Sequence, residues 1–190
     1  QEEKMRLVVA ILLVAGVAFA GVRNHIDAHN ALLQFSGAFD EKLPECEEQW
    51  MDQQLDHFDP LETRMWKQRY FVNQTMYKEG GPIFFLFGGE GPNPAAMVSG
   101  YFHLNSFAVE LGGMVVTAEH RFYGASQPTG DLSVDSYKFL SSRQALADFA
   151  WFVEAFEAEK GISGEWIAVG GSYSGNLAAW ARIKYPHLFA

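Results

Sequence analysis

Ser172 lies in the segment GGSYSG, residues 170–175, where an apolar run gives way to small, helix-forming residues. A serine on a tight strand-to-helix turn is raised out of the edge of a sheet, and such a turn needs small flanking residues to avoid clashes. The N-terminus of the following helix also favours negative charge that develops on a nearby oxygen. The segment therefore predicts a nucleophilic serine at Ser172.

Two other interpretations of the same segment stay open on these residues alone. A phosphate-binding loop would use similar glycines, but the segment has neither the G-x-G-x-x-G pattern nor the lysine of a P-loop. A structural corner with an idle serine is the stronger alternative, because G-x-S-x-G is only moderately specific. Here Ser174 occupies its last glycine position.

Three short apolar runs are typical of strands that are covered on both faces. They are Ile83–Phe87, Met114–Ala118 and Trp166–Val169. Residues 141–161 predict a helix, because apolar residues recur at helical spacing between two serines and a glycine. Residues 95–113 predict a less regular helix. This order predicts an α/β fold with a mostly parallel sheet, preceded by an antiparallel strand in residues 63–72, where side-chain types alternate.

The chain begins with a segment typical of a secretory signal. An uncharged run closes at Ala20 on the small-x-small pattern of a signal-peptidase site. A membrane anchor is the alternative, but crossing a bilayer takes about 20 apolar residues and this run is shorter. We therefore expect a signal peptide in residues 1–20, an N-terminal arm or propeptide in 21–62 and part of one domain in 63–190. The start at Gln1 and the apolar close of the chain predict a piece of a longer protein.

Composition and charge exclude several classes of protein. Of the 190 residues, 48% are hydrophobic and 19% are charged, which suits a globular chain and not a disordered one. The net charge of -9 repels phosphate backbones, so we expect no nucleic-acid partner. Together with the signal segment, this acidic balance predicts a secreted or lysosomal protein that has no membrane attachment after signal cleavage.

Three features are candidates for a metal site, a disulfide and a glycosylation site. His25, Asp27 and His29 lack the adjacent glutamate of a metalloprotease motif, so a solvated linker is the better interpretation and we expect no metal. Cys46, the only cysteine, is flanked by carboxylates that disfavour a thiolate, and we expect its partner elsewhere. Asn73 begins an N-x-[ST] sequon and is a candidate glycosylation site.

Four segments, in this order and spacing, resemble one family of serine peptidases. They are GGEGP from residue 88, AEHRFYGAS from 118, SSRQALADFA from 141 and GGSYSGNLAAWARIKYPH from 170. The family is the serine carboxypeptidase family of lysosomal Pro-Xaa carboxypeptidase, dipeptidyl peptidase II and thymus-specific serine protease. The resemblance implies an α/β-hydrolase fold with a helical cap, of which this chain holds the N-terminal part of the sheet as far as the nucleophile helix. It also implies a Ser-Asp-His triad, acyl-enzyme chemistry without a cofactor, and exopeptidase action on peptide substrates; a homodimer is left open.

The resemblance also implies roles for individual residues. Ser172 is the nucleophile, and the backbone N–H groups of Tyr173 and Gly89 donate to the oxyanion. Glu90 is a candidate contact for a polar or cationic end of the peptide. Because proline-cleaving members have glycine where Ser174 stands and asparagine where Gly89 stands, the chain resembles the thymus-specific branch most. Ser174 also favours the alternative function, a non-catalytic secreted binding protein of the hydrolase fold.

The triad is not completed within the chain. No Asp or Glu follows Ser172, and the only later histidine, His187, lies 15 positions on, about 22 Å along a helix. His57, His103 and His120 precede the nucleophile and break the chain order of hydrolase triads, so we interpret them as structural. His120, at the end of a predicted strand, is the one to check. We therefore expect the Asp and the His outside this chain, and the chain alone to be inert.

Overall fold

Strands of the chain form one mixed sheet in its computed structural model, which describes residues 46–99 and 104–190. The strands are β1 (Gln49–Gln54), β2 (Met65–Asn73), β3 (Ile83–Phe87), β4 (Met114–Ala118) and β5 (Trp166–Val169). Their order across the sheet is β1-β2-β4-β3-β5. β3 pairs in parallel with β4 and β5, whereas β2 pairs antiparallel with β1 and β4. The predicted α/β fold with a mostly parallel core is confirmed.

Helices connect the strands. They are α1 (Leu104–Leu111), α2 (Val134–Tyr137), α3 (Ser142–Lys160) and α4 (Ser172–Lys184), with a 3-10 turn at Ala95–Met97. α3 begins where the side chain of Ser141 accepts a hydrogen bond from the N–H of Gln144, and it ends at Gly161, whose φ of 63° is left-handed. Of the helix predicted over 95–113, the described residues include the 3-10 turn at Ala95–Met97 and the α-helix at Leu104–Leu111.

The sheet is covered on both faces, as the apolar runs predict. Every residue of β3 and β4 is buried. On one face, Phe85 stacks on Phe152 of α3 at a ring separation of 5.4 Å. On the other face, Phe84 packs in one cluster with Leu104 and Ala108 of α1. Each large apolar side chain buried in this way stabilises the fold by about 1.5–3 kcal/mol.

β1 extends the sheet N-terminal to residue 63, where the sequence predicted the domain to begin. Its ladder with β2 runs from Gln49 opposite Tyr70 to Gln54 opposite Met65. The inward positions of β1 include Gln53, which is fully buried and donates from Nε2 to the Oε1 of Gln68 at 2.7 Å. Because a paired amide replaces an apolar residue there, the alternation that marks a half-buried strand is hidden in the sequence.

The predicted signal peptide, most of the predicted arm and His103 lie outside the described residues. Within the described ranges, no helix is long and apolar enough to cross a membrane. The same part of the chain contains no group of three or more potential metal ligands. The segment with His25 and His29 lies outside it.

Candidate active site

Ser172 is the residue at which β5 turns into α4. It is the first residue of α4, its side chain is exposed, and its φ is 55°, in the left-handed region. A non-glycine residue held there costs about 1–3 kcal/mol and persists only where the surrounding structure enforces it. The geometry is that of the sharp strand-to-helix turn expected from the motif; the role of Ser172 as nucleophile stays a prediction.

The two glycines before Ser172 differ in whether a side chain would fit at their positions. A Cβ atom built on Gly170 would overlap the carbonyl group of Ser174 and lie 2.7 Å from the nitrogen of Gly175. A Cβ atom built on Gly171 meets nothing within 4 Å. Gly170 is therefore required by the close approach of the first turn of α4 to the end of β5, whereas Gly171 occupies open space.

Ser174 braces the turn around Ser172. Its Oγ donates to the carbonyl oxygen of Gly171 at 2.8 Å and accepts from the N–H of Gly171 at 3.0 Å. A Cβ atom built on Gly89 would lie 3.5 Å from the Cβ of Ser174, an ordinary packing distance. The loop that follows β3 thus lies directly against the first turn of α4.

The loop after β3 is also pressed against the end of β4. A Cβ atom built on Gly88 would lie 2.6 Å from both the carbonyl oxygen of Ala118 and the nitrogen of His120. Only a glycine fits at that separation. The loop bearing Gly89 and Glu90 is therefore held between β4 and the turn at Ser172, at the carboxyl ends of the parallel strands, where open α/β sheets bind ligands.

Tyr173 leaves the turn toward the segment after β4. Its hydroxyl lies 3.2 Å from Nε2 of His120, and Nδ1 of His120 lies 2.7 Å from the carbonyl oxygen of Arg121. Burial lowers the pKa of His120 and raises the pKa of Tyr173. The exposed carboxylate of Glu90 acts electrostatically on both rings and raises both pKa values to a smaller extent.

A buried carboxylate that the sequence analysis did not single out organises these loops. Glu119 is fully buried; its Oε1 accepts from Nη2 of Arg69 at 2.6 Å and from the N–H of Asn93 at 3.0 Å. Its Oε2 accepts from the N–H groups of Ala125–Ser126 at 3.0 and 2.8 Å. Gly124, with a φ of 56°, gives it room, since a Cβ atom there would overlap the carboxylate. One carboxylate thus ties the loop after β3 to the loop after β4.

Next to His120, Arg121 forms a second buried cluster. Its Nε and Nη2 donate to the two carboxylate oxygens of Asp148 at 2.6 and 2.7 Å. Nε2 of His57 lies 2.8 Å from Oδ1 of the same carboxylate. Asp148 belongs to α3, so the Arg121–Asp148 pair joins α3 to the end of β4. His57 bonds to the same carboxylate.

The structure brings four of the predicted site residues together and places the fifth elsewhere. Ser172, Tyr173, Gly89 and Glu90 all follow the carboxyl ends of β5 or β3. Asn73 lies opposite Val115 near the start of β4, and so at the other end of the parallel strands.

Asn73 is half-buried, and its side-chain amide donates to the carbonyl oxygen of Val98 at 2.9 Å and to Oδ1 of Asn105 at 3.1 Å. A glycan would replace one amide hydrogen and with it one of these bonds. Glycosylation of Asn73 stays a prediction.

His187 follows the far end of α4, which closes at Lys184. A helix of that length separates it from Ser172 by about 18 Å or more. It is exposed and makes a ring contact with Tyr185 at 6.3 Å. It therefore lies too far from Ser172 to take its proton.

Sequence comparisons identify relatives for most of the chain. Residues 53–190 match the family model described as serine carboxypeptidase S28. The putative serine protease K12H4.7 of Caenorhabditis elegans is 46% identical over 140 residues, which cover 72% of this chain and 27% of that protein. The human thymus-specific serine protease is 46% identical over 143 residues, covering 73% and 27%. The mouse lysosomal Pro-X carboxypeptidase is 43% identical over 148 residues, covering 73% and 29%.

The chain therefore spans under a third of the length of each of these relatives. Among solved structures, the peroxisomal alpha-beta-hydrolase Lpx1 of Saccharomyces cerevisiae matches with a TM-score of 0.52 at 15% identity, over 78% of this chain and 42% of that one. A probable hydrolytic enzyme from Pseudomonas aeruginosa matches with a TM-score of 0.50 at 16% identity, over 80% and 40%. These structural matches show the α/β-hydrolase fold. The fold and the strained serine between β5 and α4 agree with the family match over residues 53–190. The chain belongs to the serine carboxypeptidase S28 family.

Proposed function

We propose that the full-length protein is a serine-type exopeptidase in which Ser172 forms an acyl-enzyme with the peptide. The observation that supports this most directly is the left-handed φ of 55° at an exposed serine that begins α4. Strain of this kind is retained at functional sites, where it presents a side chain that an ordinary turn would not present. Family membership supports the same reaction class.

In this mechanism the Oγ of Ser172 bonds to the carbonyl carbon of the peptide and gives its proton to a histidine. The histidine passes that proton to the leaving amine, and water then hydrolyses the acyl-enzyme. The N–H groups of Tyr173 and Gly89 stabilise the oxyanion. They lie on two segments that are in contact, because Gly89 packs against Ser174.

The described residues offer no base for Ser172. His120 is engaged with Tyr173 and Arg121, His57 is engaged with Asp148, and His187 lies beyond α4. We therefore propose that the triad histidine and acid lie in the part of the full-length protein outside this chain, and that the 190-residue chain alone is inert.

Glu90 is proposed to contact the substrate. Its carboxylate is exposed, follows Gly89 directly, and acts electrostatically on Tyr173, the residue after the nucleophile. A negative charge at that position suits the cationic end of a peptide. Asn73 at the opposite end of the strands, together with the signal segment, fits a secreted or lysosomal peptidase.

The alternative, a non-catalytic binding protein of the same fold, rested on Ser174. Among the described residues, the Oγ of Ser174 bonds to the backbone of Gly171 within the turn, and the neighbouring Ser172 is exposed. The departure from the glycine pattern is thus compatible with a working nucleophile. We favour the enzyme for that reason.

Covalent labelling tests the proposal. We expect a fluorophosphonate probe to label the full-length protein and not its Ser172→Ala variant, because the probe reacts only with an activated serine. Ser163→Ala, at another exposed serine near β5, is the matched control and should label like the wild type. Equal labelling of wild type and Ser172→Ala, or no labelling of either, would contradict the nucleophile assignment.

A further inference from the structure

His120 contacts both segments of the proposed oxyanion hole. It follows β4, is buried with 1% of its surface exposed, and has its backbone nitrogen against Gly88, the neighbour of Gly89. Its imidazole lies against Tyr173, which carries the other proposed donor. One side chain and its own backbone thus contact both segments.

The hydrogen bonds of the imidazole define its protonation state. Nδ1 faces the carbonyl oxygen of Arg121, which only accepts, so Nδ1 bears the proton. Nε2 is then free to accept from the hydroxyl of Tyr173 at 3.2 Å. Burial lowers the pKa of His120 and favours this neutral form; the other charged groups that act on it are Asp148, Arg121 and Glu90.

The bond between Tyr173 and His120 crosses the sheet. Tyr173 follows β5 and His120 follows β4, and β3 lies between these two strands. The loop with Gly88 and Gly89 leaves the end of β3 between these two segments, with Gly88 against His120 and Gly89 against Ser174. Aromatic rings fix the imidazole from the sides, since Tyr123 and Phe149 meet it edge-on at 5.2 and 6.4 Å.

We propose that His120 is a positioning residue that sets the separation of the two oxyanion donors, by accepting from the Tyr173 hydroxyl while its backbone supports Gly88. His120 does not touch the substrate in this arrangement. It acts through Tyr173, which follows the left-handed Ser172. Holding the Tyr173 side chain fixes the direction of the backbone N–H that donates to the oxyanion. This inference rests on the proposed function.

Three variants of the full-length enzyme distinguish the loss of the Tyr173–His120 hydrogen bond from the loss of the imidazole itself. Tyr173→Phe removes one hydroxyl. His120→Asn keeps a donor near Nδ1 but does not reach Tyr173, whereas His120→Gln keeps an acceptor near the position of Nε2. Because a misplaced donor costs less than an absent one, we expect kcat for a small ester to fall about 10- to 100-fold in the first two variants, with KM within about two-fold. His120→Gln should restore kcat to within about three-fold of wild type.

Two further measurements make the test specific to positioning. A peptide boronic acid, which forms a tetrahedral adduct on the serine, should bind Tyr173→Phe more weakly by about the same factor as kcat falls, while product binding stays unchanged. The double variant His120→Asn with Tyr173→Phe should lose no more than either single variant, since both remove one bond.

The outcomes that overturn the inference are distinct from failure of the proposed function. If the wild type labels at Ser172 and hydrolyses the ester, but Tyr173→Phe keeps full kcat or loses only KM, His120 does not position the oxyanion hole. Additive losses in the double variant lead to the same conclusion. A wild type that neither labels nor hydrolyses overturns the proposed function and this inference together. If His120→Asn does not fold, Tyr173→Phe alone decides.

Discussion

At the scale of single residues, His120 shows how position changes the chemistry of a side chain. An exposed histidine titrates near pH 6.5 and donates from both nitrogens below that pH. Burial behind β4 lowers the pKa of His120 and so preserves an acceptor for Tyr173 in mildly acidic surroundings. That property would suit the secreted or lysosomal peptidase that we propose.

The lowered pKa of His120 predicts how stability depends on pH. Below about pH 6.5, His120 binds a proton in the unfolded chain but stays neutral in the folded protein. The free energy of unfolding should therefore fall as the pH drops from there toward the pKa of the folded state. The slope from this residue is at most about 1.4 kcal/mol per pH unit. Urea unfolding between pH 7.5 and 5 should therefore show a flatter profile for His120→Gln than for wild type; parallel profiles would contradict the assignment.

At the scale of elements, the turn between β5 and α4 is built from close backbone contacts. Gly170 permits the approach of Ser174, and the Oγ of Ser174 then bonds both backbone groups of Gly171. The strain at Ser172, about 1–3 kcal/mol, is offset by these contacts and by the burial of Leu177 in the helix that follows. These contacts hold the turn in the left-handed conformation seen at Ser172.

Two neighbouring glycines test this account of the turn. Gly170→Ala should lower the free energy of unfolding by about 1–3 kcal/mol, because the added methyl group overlaps the carbonyl of Ser174. Gly171→Ala should change it by no more than about 0.5 kcal/mol, because its Cβ would meet nothing within 4 Å and its φ of -128° is ordinary. Urea unfolding of both variants measures the difference, and equal costs would show that the close approach is not the cause.

At the scale of the whole molecule, two buried carboxylates link elements that are distant in sequence. Glu119 joins the loops after β3 and β4, and Asp148 joins α3 to Arg121 and His57. Such pairs contribute little net stability when complete, but the loss of one partner leaves a buried charge without compensation. The site at the carboxyl ends of the strands therefore depends on contacts well outside it.

Removal of one buried partner should show this dependence. Asp148→Asn leaves the fully buried guanidinium of Arg121 without its counter-charge and should cost about 3–5 kcal/mol of unfolding free energy. Asp52→Asn is the matched control, because Asp52 pairs with Lys67 where both side chains are about 60% exposed, and it should cost less than about 1 kcal/mol. Similar costs for both variants would contradict a structural role for the buried pair.

The sequence predicts the strands that are apolar throughout and misses what depends on long-range contacts. β3, β4 and β5 have the predicted bounds, because continuous apolar runs leave little ambiguity. The sequence missed β1 because a polar residue, Gln53, occupies one of its buried positions, where its amide donates to the Oε1 of Gln68. The motif also located the turn at Ser172.

The bond from Tyr173 to His120 and the bonds that Glu119 accepts from Arg69 and Asn93 join positions tens of residues apart, and no local pattern marks them. Periodicity reports which face of an element is buried, but it does not report which polar groups meet across elements. These contacts hold the candidate site together, and they become visible only in the folded chain.

Gly124 is a position where a natural variant would affect the candidate site from a distance. It lies in the loop after β4, remote in sequence from the nucleophile, yet any side chain at this position would displace the carboxylate of Glu119 and release both loops beside Ser172 at once. We expect a missense change there to act like damage to the candidate active site and not like a tolerated surface change, although the residue is exposed. We therefore expect Gly124, although exposed, to tolerate substitution as poorly as a buried glycine.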